Sequence, residues 1–102
     1  MSTTVIVGKT QRRAFEKMDL ILGEFKYKDI KKILKQSWEY RISLTNGDEY
    51  IAIESSELNL RGRRFRDNNI KFLIEKGVDL KTLEKLIIPF LFTEKYSMEY
   101  WN

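Results

Sequence analysis

The 102-residue sequence predicts one small α/β or α+β domain, with a central sheet that contains a β-hairpin and with about three helices. Two observations lead to this fold class. A short β-branched run near the N-terminus is followed by apolar residues at helical spacing, and a later stretch alternates in polarity up to an Asn-Gly pair. The composition, 42% hydrophobic and 13% aromatic, is sufficient for a buried core in a domain spanning residues 1–102.

The first half of the chain predicts a strand and two helices. Thr3–Val7 reads as a strand that Gly8 ends, and a helix begins near Thr10 and stops at Gly23. The apolar positions of that helix recur at Ala14, Phe15, Met18, Ile21 and Leu22. A second helix is predicted over Lys26–Gln36, with a basic outer face and an apolar side formed by Tyr27, Ile30, Ile33 and Leu34.

The strongest local pattern predicts a hairpin of Trp38–Thr45 with Asp48–Glu54. Asn46-Gly47 favours a two-residue turn in which both residues have positive φ. A turn of that length pairs Ile42 with Ile51 and Tyr40 with Ile53, which matches the apolar pattern.

The second half of the chain is less regular. Leu58–Asn69 is polar and basic and indicates a loop or a distorted edge, whereas Ile70–Ile74 indicates a buried strand, although a helix from residue 69 fits the periodicity equally well. Gly77 breaks this segment. Asp79 caps a predicted helix from Leu80 to about Phe92, which Pro89 kinks or ends.

The C-terminal segment Tyr96–Trp101 alternates and predicts a last strand. Its aromatic residues are expected to pack on the core or on a second copy of the chain, because an exposed aromatic cluster is unfavourable for a monomer. This gives the expectation of a homodimer through the aromatic C-terminus.

The composition excludes several kinds of chemistry. The chain has no cysteine and no histidine, which removes disulfides, thiolate chemistry, the Ser-His-Asp relay and most zinc sites. We therefore expect no enzyme activity, no cofactor and no metal. The longest apolar run, Leu86–Phe92, is too short to span a membrane, and no signal-peptide pattern is present, so we expect a cytoplasmic protein.

An arginine cluster is the leading candidate binding site. Arg61, Arg63, Arg64 and Arg66 surround Gly62, and guanidinium groups bind phosphates through paired hydrogen bonds. Phe65 in their midst is either a base-stacking residue or an apolar anchor for the loop. The alternative for the arginines is a solvated loop, ion-paired to Glu54, Glu57 or Asp67.

Gly8, Lys9 and Thr10 form a second candidate site, for phosphate. A strand followed by Gly-Lys-Thr and a helix corresponds to the second half of a phosphate-binding loop, but the first glycine of that motif is replaced by Thr3. The alternative is a turn at Gly8 with a solvated Lys9. Glu75 ends an apolar strand and is either a water-activating carboxylate or an exposed strand end.

The order of these segments resembles a shortened ATPase core of phage terminase large subunits and related DNA-translocating P-loop ATPases. The resemblance rests on Gly8-Lys9-Thr10 between a strand and a helix, the Asn46-Gly47 hairpin, Leu60–Phe65, the strand ending at Glu75, and Ile88-Pro89. The family's ATPase core is about twice this length, and Ile74 stands where the family has its magnesium-binding aspartate. The resemblance therefore implies a degenerate relative with no measurable ATPase or GTPase activity.

Our first functional hypothesis is a small non-enzymatic binding protein of a phage or mobile element, which contacts DNA or RNA through Arg61–Arg66 in the host cytoplasm. The second is a protein–protein interaction module, acting as an inhibitor or accessory subunit of a nucleic-acid enzyme through the aromatic C-terminus. The third is a degenerate nucleotide-binding protein. The sequence does not distinguish DNA from RNA.

Overall fold

The computed structural model describes residues 2–37, 39–54, 69–79, 81, 84 and 95–102. These residues form a small α/β domain with a six-stranded mixed sheet and one main helix. The elements are β1 (Thr3–Gly8), α1 (Gln11–Leu22), a 3₁₀ turn (Tyr27–Asp29), β2 (Ile30–Lys35), β3 (Tyr40–Leu44), β4 (Glu49–Glu54), β5 (Asn69–Glu75) and β6 (Lys95–Trp101).

The strands lie in the order β2-β3-β4-β1-β5-β6. The pairs β4–β1, β1–β5 and β5–β6 are parallel, whereas β2–β3 and β3–β4 are antiparallel. The parallel strands therefore end at the same edge of the sheet, where Gly8, Glu75 and Trp101 stand at or next to their carboxyl ends. Ligand sites of open α/β sheets commonly lie at such an edge.

The central strands of the sheet are buried on both faces. Helix α1 packs on the first face through Ala14, Met18 and Ile21, and the strands contribute Ile6, Tyr40, Ile42, Leu44 and Ala52. We call this the helix face. The opposite face is formed by Val5, Val7, Ile51, Ile53, Ile70, Phe72 and Ile74, all almost fully buried. A parallel strand with apolar residues on both faces, such as β1, reads as an uninterrupted apolar run.

The predicted first strand and first helix are confirmed. Thr10 is the N-cap of α1: its side-chain oxygen accepts a hydrogen bond from the Arg13 N–H, and the helix ends at Gly23. Gly8 permits the close approach of strand and helix, because a Cβ at this position would lie 2.6 Å from the Ala14 backbone nitrogen.

The predicted helix over Lys26–Gln36 is wrong. Residues 30–35 form strand β2, which pairs antiparallel with β3 and contains an irregularity between Ile30 and Lys32. Ile30 lies opposite Leu44 and Ile33 opposite Ile42, so both isoleucines occupy the helix face despite being three residues apart. The bulge thus produces in a strand the spacing that normally indicates a helix.

The hairpin lies where the sequence predicts it, but its predicted register is wrong by one residue. Tyr40 pairs with Ala52, not Ile53, and Ile42 pairs with Tyr50, not Ile51. The loop has three residues, because the Leu44 N–H donates to the Asp48 carbonyl and Gly47 alone has positive φ, +96°. Apolar residues on both faces of β4 make the apolar pattern compatible with either register.

The remaining predictions have mixed outcomes. The strand at Ile70–Ile74 and the C-terminal strand are confirmed as β5 and β6, and the Asp79 carboxylate accepts a hydrogen bond from the Lys81 N–H, as a cap does. Three parts of the prediction lie outside the described residues: Trp38, the arginine cluster with Phe65, and nearly all of the predicted helix Leu80–Phe92. In the described part of the chain, no helix has the length and hydropathy needed to cross a membrane.

Candidate functional site

A buried carboxylate organises the carboxyl edge of the sheet. Glu75, at the end of β5, is only 4% exposed. Its Oε1 accepts a hydrogen bond of 2.9 Å from the backbone N–H of Lys9, and its Oε2 accepts one of 2.7 Å from Nε of Arg13. Strand β5 is a parallel neighbour of β1, so the Glu75 side chain reaches the start of α1 directly. We call Lys9, Arg13 and Glu75 the carboxylate clamp.

The electrostatics of the carboxylate clamp favour the ionised acid. Burial by itself raises the pKa of Glu75, but the Lys9 N–H and the Arg13 guanidinium outweigh it and lower the pKa below its ordinary value. The same hydrogen bond and charge raise the pKa of Arg13. Glu75 is therefore a bonded anion at neutral pH, and not an exposed strand end.

The clamp has a direct bearing on the candidate phosphate site. The structure brings Gly8, Lys9 and Thr10 together at the start of α1, where a phosphate-binding loop presents its N–H groups. However, the Lys9 N–H bonds the Glu75 carboxylate, and the Thr10 hydroxyl oxygen caps the helix. The chain's own carboxylate thus occupies the position of an anion, and phosphate binding here stays a prediction.

Trp101, at the end of the neighbouring strand β6, lies against Arg13 of the clamp. The Arg13 guanidinium carbon lies 5.7 Å from the centre of the indole ring, and Nζ of Lys17 lies 5.5 Å from it. The ring also packs against the core of the helix face. The Lys76 N–H donates to the Trp101 carbonyl over 2.8 Å, which fixes the end of β6. Of the aromatic residues expected to pack on the core or on a second copy, Trp101 packs on the core, whereas Tyr100 is 52% exposed.

The lateral edge of the sheet at β2 is strongly basic. Residues 26–35 carry five lysines against one aspartate, a formal charge of +4 that equals the charge of the whole chain. Tyr27 stands between two of these lysines and is 93% exposed. We call Lys26, Tyr27, Lys28, Lys31 and Lys32 the basic edge.

Four of the five lysines of this segment have no ion-pair partner among the described residues. Lys35 bonds the Asp19 carboxylate at 3.3 Å and lies over the Tyr40 ring. Among the described residues, no ion pair involves the four lysines of the basic edge, all of which are exposed: Lys26, Lys28, Lys31 and Lys32. Their positive potential is therefore available to an external anion.

A groove of about 360 Å³ adjoins the basic edge on the sheet face opposite α1. Lys31, Lys32, Arg41 and Ser43 contribute to its lining, together with Glu49. Arg41 bonds Glu39 at 3.1 Å, while its Nε atom is buried and has no hydrogen-bond partner in the structure as described. Arg41 is therefore ion-paired, and Lys31 and Lys32 are the cations of the groove that have no ion-pair partner among the described residues.

Sequence reasoning missed the basic edge because it assigned these lysines to the solvated face of a helix. One signal was present in the sequence, since five lysines and an aromatic residue share ten positions with a single acid. The leading predicted site, Arg61, Arg63, Arg64 and Arg66 with Phe65, lies outside the described residues. Within the described ranges, no group of three or more acidic, histidine or cysteine residues is placed to hold a metal ion.

Comparisons with known proteins do not assign the chain to a family. No protein-family model matches the sequence, and neither the curated proteins nor the solved structures contain a match. The functional argument therefore depends on the contacts, burial and charge of the carboxyl edge and of the basic edge.

Proposed function

We propose that this chain is a non-enzymatic nucleic-acid-binding protein whose basic edge contacts the phosphate backbone. The observation that carries the proposal is a group of exposed lysines, without ion-pair partners among the described residues, beside an almost fully exposed tyrosine. Lysines supply the counterion-releasing contacts of sequence-independent binding, and an exposed aromatic ring supplies a stacking surface for an unpaired base. Together these groups are typical of a surface for single-stranded nucleic acid.

Edge protection is the competing explanation for these lysines. Edge strands often carry lysine and a bulge so that no other strand pairs with them, and β2 has both. That explanation accounts for Lys31 and Lys32, but not for Lys26, Tyr27 and Lys28, which precede the strand. An exposed tyrosine offers no protection to an edge, whereas it is expected in a stacking surface.

The arginine cluster predicted from the sequence is proposed as a second contact region. Arg61, Arg63, Arg64 and Arg66 lie between β4 and β5 in the sequence. The contributions of the basic edge and of the arginine cluster to binding can be measured separately, because the cationic residues of each can be replaced without changing the other.

The test is fluorescence anisotropy with labelled single-stranded and duplex oligonucleotides over a range of salt concentrations. Changing Lys28, Lys31 and Lys32 together to alanine removes three candidate phosphate contacts. The slope of log K against log salt should then fall by about two units for single strands, at roughly 0.7 per contact. The matched control neutralises three exposed cations away from the edge, Arg12, Lys76 and Lys81, and should change the slope little.

Stacking is tested separately at Tyr27. Replacement by alanine should weaken single-strand binding by about 1–3 kcal/mol, whereas replacement by phenylalanine should preserve it, because the ring and not the hydroxyl stacks. An absence of binding to any oligonucleotide at low salt would refute the function. If the lysine variant and its control lose equal affinity, the basic edge is not the interface. A companion variant, in which Arg61, Arg63 and Arg64 are changed together to alanine, measures the contribution of the arginine cluster to binding.

A further inference from the structure

The two edges of the described sheet are built differently. Strand β2 carries a bulge and a row of lysines, which discourage pairing with another strand. Strand β6 pairs with β5 at seven consecutive positions, from Asn69–Lys95 to Glu75–Trp101, with no irregularity. Its outer side therefore presents a regular row of backbone groups to a further strand.

The exposed face of β6 is also apolar. Met98 lies opposite Phe72 and Tyr100 opposite Ile74 in the register of β5 and β6. Phe72 and Ile74 are buried core residues, whereas Met98 is 36% exposed and Tyr100 is 52% exposed. The apolar layer of the sheet thus continues to its edge, where an added strand would cover Met98.

The sequence of β6 is complementary to itself in one antiparallel register. Directly opposite residues of antiparallel strands share a face, so a two-fold axis normal to the sheet passes midway between the two copies of one residue. An axis at Ser97 places position 95, a lysine in the sequence, opposite Glu99 of the second copy, and does so twice. An axis at Met98 gives no charge pair, and an axis at Glu99 opposes two carboxylates.

We propose that β6 pairs antiparallel with β6 of a second copy, about a two-fold axis at Ser97, so that one sheet continues through the dimer. Charge complementarity selects the second copy as the occupant, because each strand supplies both the lysine and the carboxylate that the other requires. The pairing leaves the basic edges at the two far ends of the joined sheet. The dimer does not depend on the nucleic-acid proposal.

Sedimentation velocity over a range of protein concentrations measures the monomer–dimer equilibrium. The wild-type chain should dimerise, and Glu99→Lys should weaken the dimer about tenfold or more, because two attractive cross-strand pairs become repulsive. The double variant Lys95→Glu with Glu99→Lys should restore it. Glu99 also bonds Lys71 at 3.0 Å, so Lys71→Ala is the control: it removes this internal pair and should leave the dimer intact.

A single cysteine tests the register. The chain has no cysteine, so Ser97→Cys places the two thiols of the dimer on either side of the two-fold axis, where directly opposite Cβ atoms approach disulfide distance. Oxidation should yield a covalent dimer, whereas Ser37→Cys, exposed and remote from β6, should not.

Any of three results would overturn the proposal. A wild-type chain that sediments as a monomer up to its solubility limit would exclude the dimer. A double charge variant as weak as Glu99→Lys, or equal cross-linking of the two cysteine variants, would exclude this register. Circular dichroism of each variant confirms that the fold is retained, so that loss of the dimer is not confused with unfolding.

Discussion

Replacing Glu75 with glutamine should destabilise the fold far more than the same change at an exposed glutamate. Glutamine keeps the size of the side chain but removes its charge and gives it one acceptor instead of two. If its oxygen continues to accept from the Lys9 N–H, its amide group faces Nε of Arg13, which is also a donor. One buried contact of the carboxylate clamp is therefore always lost.

The magnitude follows from the one hydrogen bond that is lost. Bonds to a charged partner contribute about 1.5–3 kcal/mol each, and the lower part of that range applies because the Arg13 side chain is 46% exposed. The variant should therefore lose about 2 kcal/mol of unfolding free energy, which corresponds to a fall in Tm of about 10 °C for a chain of this size. Glu24→Gln, at an exposed position, is the control and should shift stability by less than about 0.5 kcal/mol.

The assay is urea unfolding followed by circular dichroism as a function of pH. Because the pKa of Glu75 is lower in the folded state, its ionised form stabilises the fold above the ordinary pKa near 4.5. That contribution is lost as the pH falls through the folded pKa. The difference between wild type and variant should shrink over the same range. A Glu75→Gln variant as stable as wild type at pH 7 would refute the structural role of the clamp.

Two further changes test the packing around α1. Gly8→Ala places a Cβ 2.6 Å from the Ala14 backbone nitrogen and should destabilise the fold by about 2 kcal/mol or more. Gly23→Ala should be nearly neutral, because the backbone there is helical and the nearest new contact is 3.5 Å. Thermal melts compare the two variants, and equal losses of stability would contradict this account. Tyr40→Phe removes a hydroxyl that donates to the Asp19 carboxylate at 2.8 Å and should cost about 1 kcal/mol in chemical denaturation, so an unchanged midpoint would show that this bond adds nothing.

The sequence predicts the fold best where local signals decide. The N-terminal strand and helix, the position of the hairpin and strands β5 and β6 all follow from periodicity, a cap or a glycine. Where tertiary pairing decides, prediction fails. The bulge in β2 puts Ile30 and Ile33 on one face, and no local rule separates that pattern from a helix.

The candidate sites show the same division. The sequence identifies Gly8, Lys9, Thr10 and Glu75 as chemically suggestive, and the structure places them together. Sequence spacing gives no indication that Glu75 bonds the Lys9 N–H, because the two residues lie 66 positions apart in the chain. The basic edge was hidden by the wrong assignment of β2 to a helix.

The central position of β1 has a consequence for how the chain folds. Val5 pairs with Ile51 on one side and with Phe72 on the other, so the first strand made acquires its neighbours only after much of the chain has followed. The meander β2-β3-β4 needs only local contacts, and local contacts form fastest. During synthesis β1 is therefore made before either of its neighbours. We expect the meander β2-β3-β4 to form first and β1 then to pair with β4.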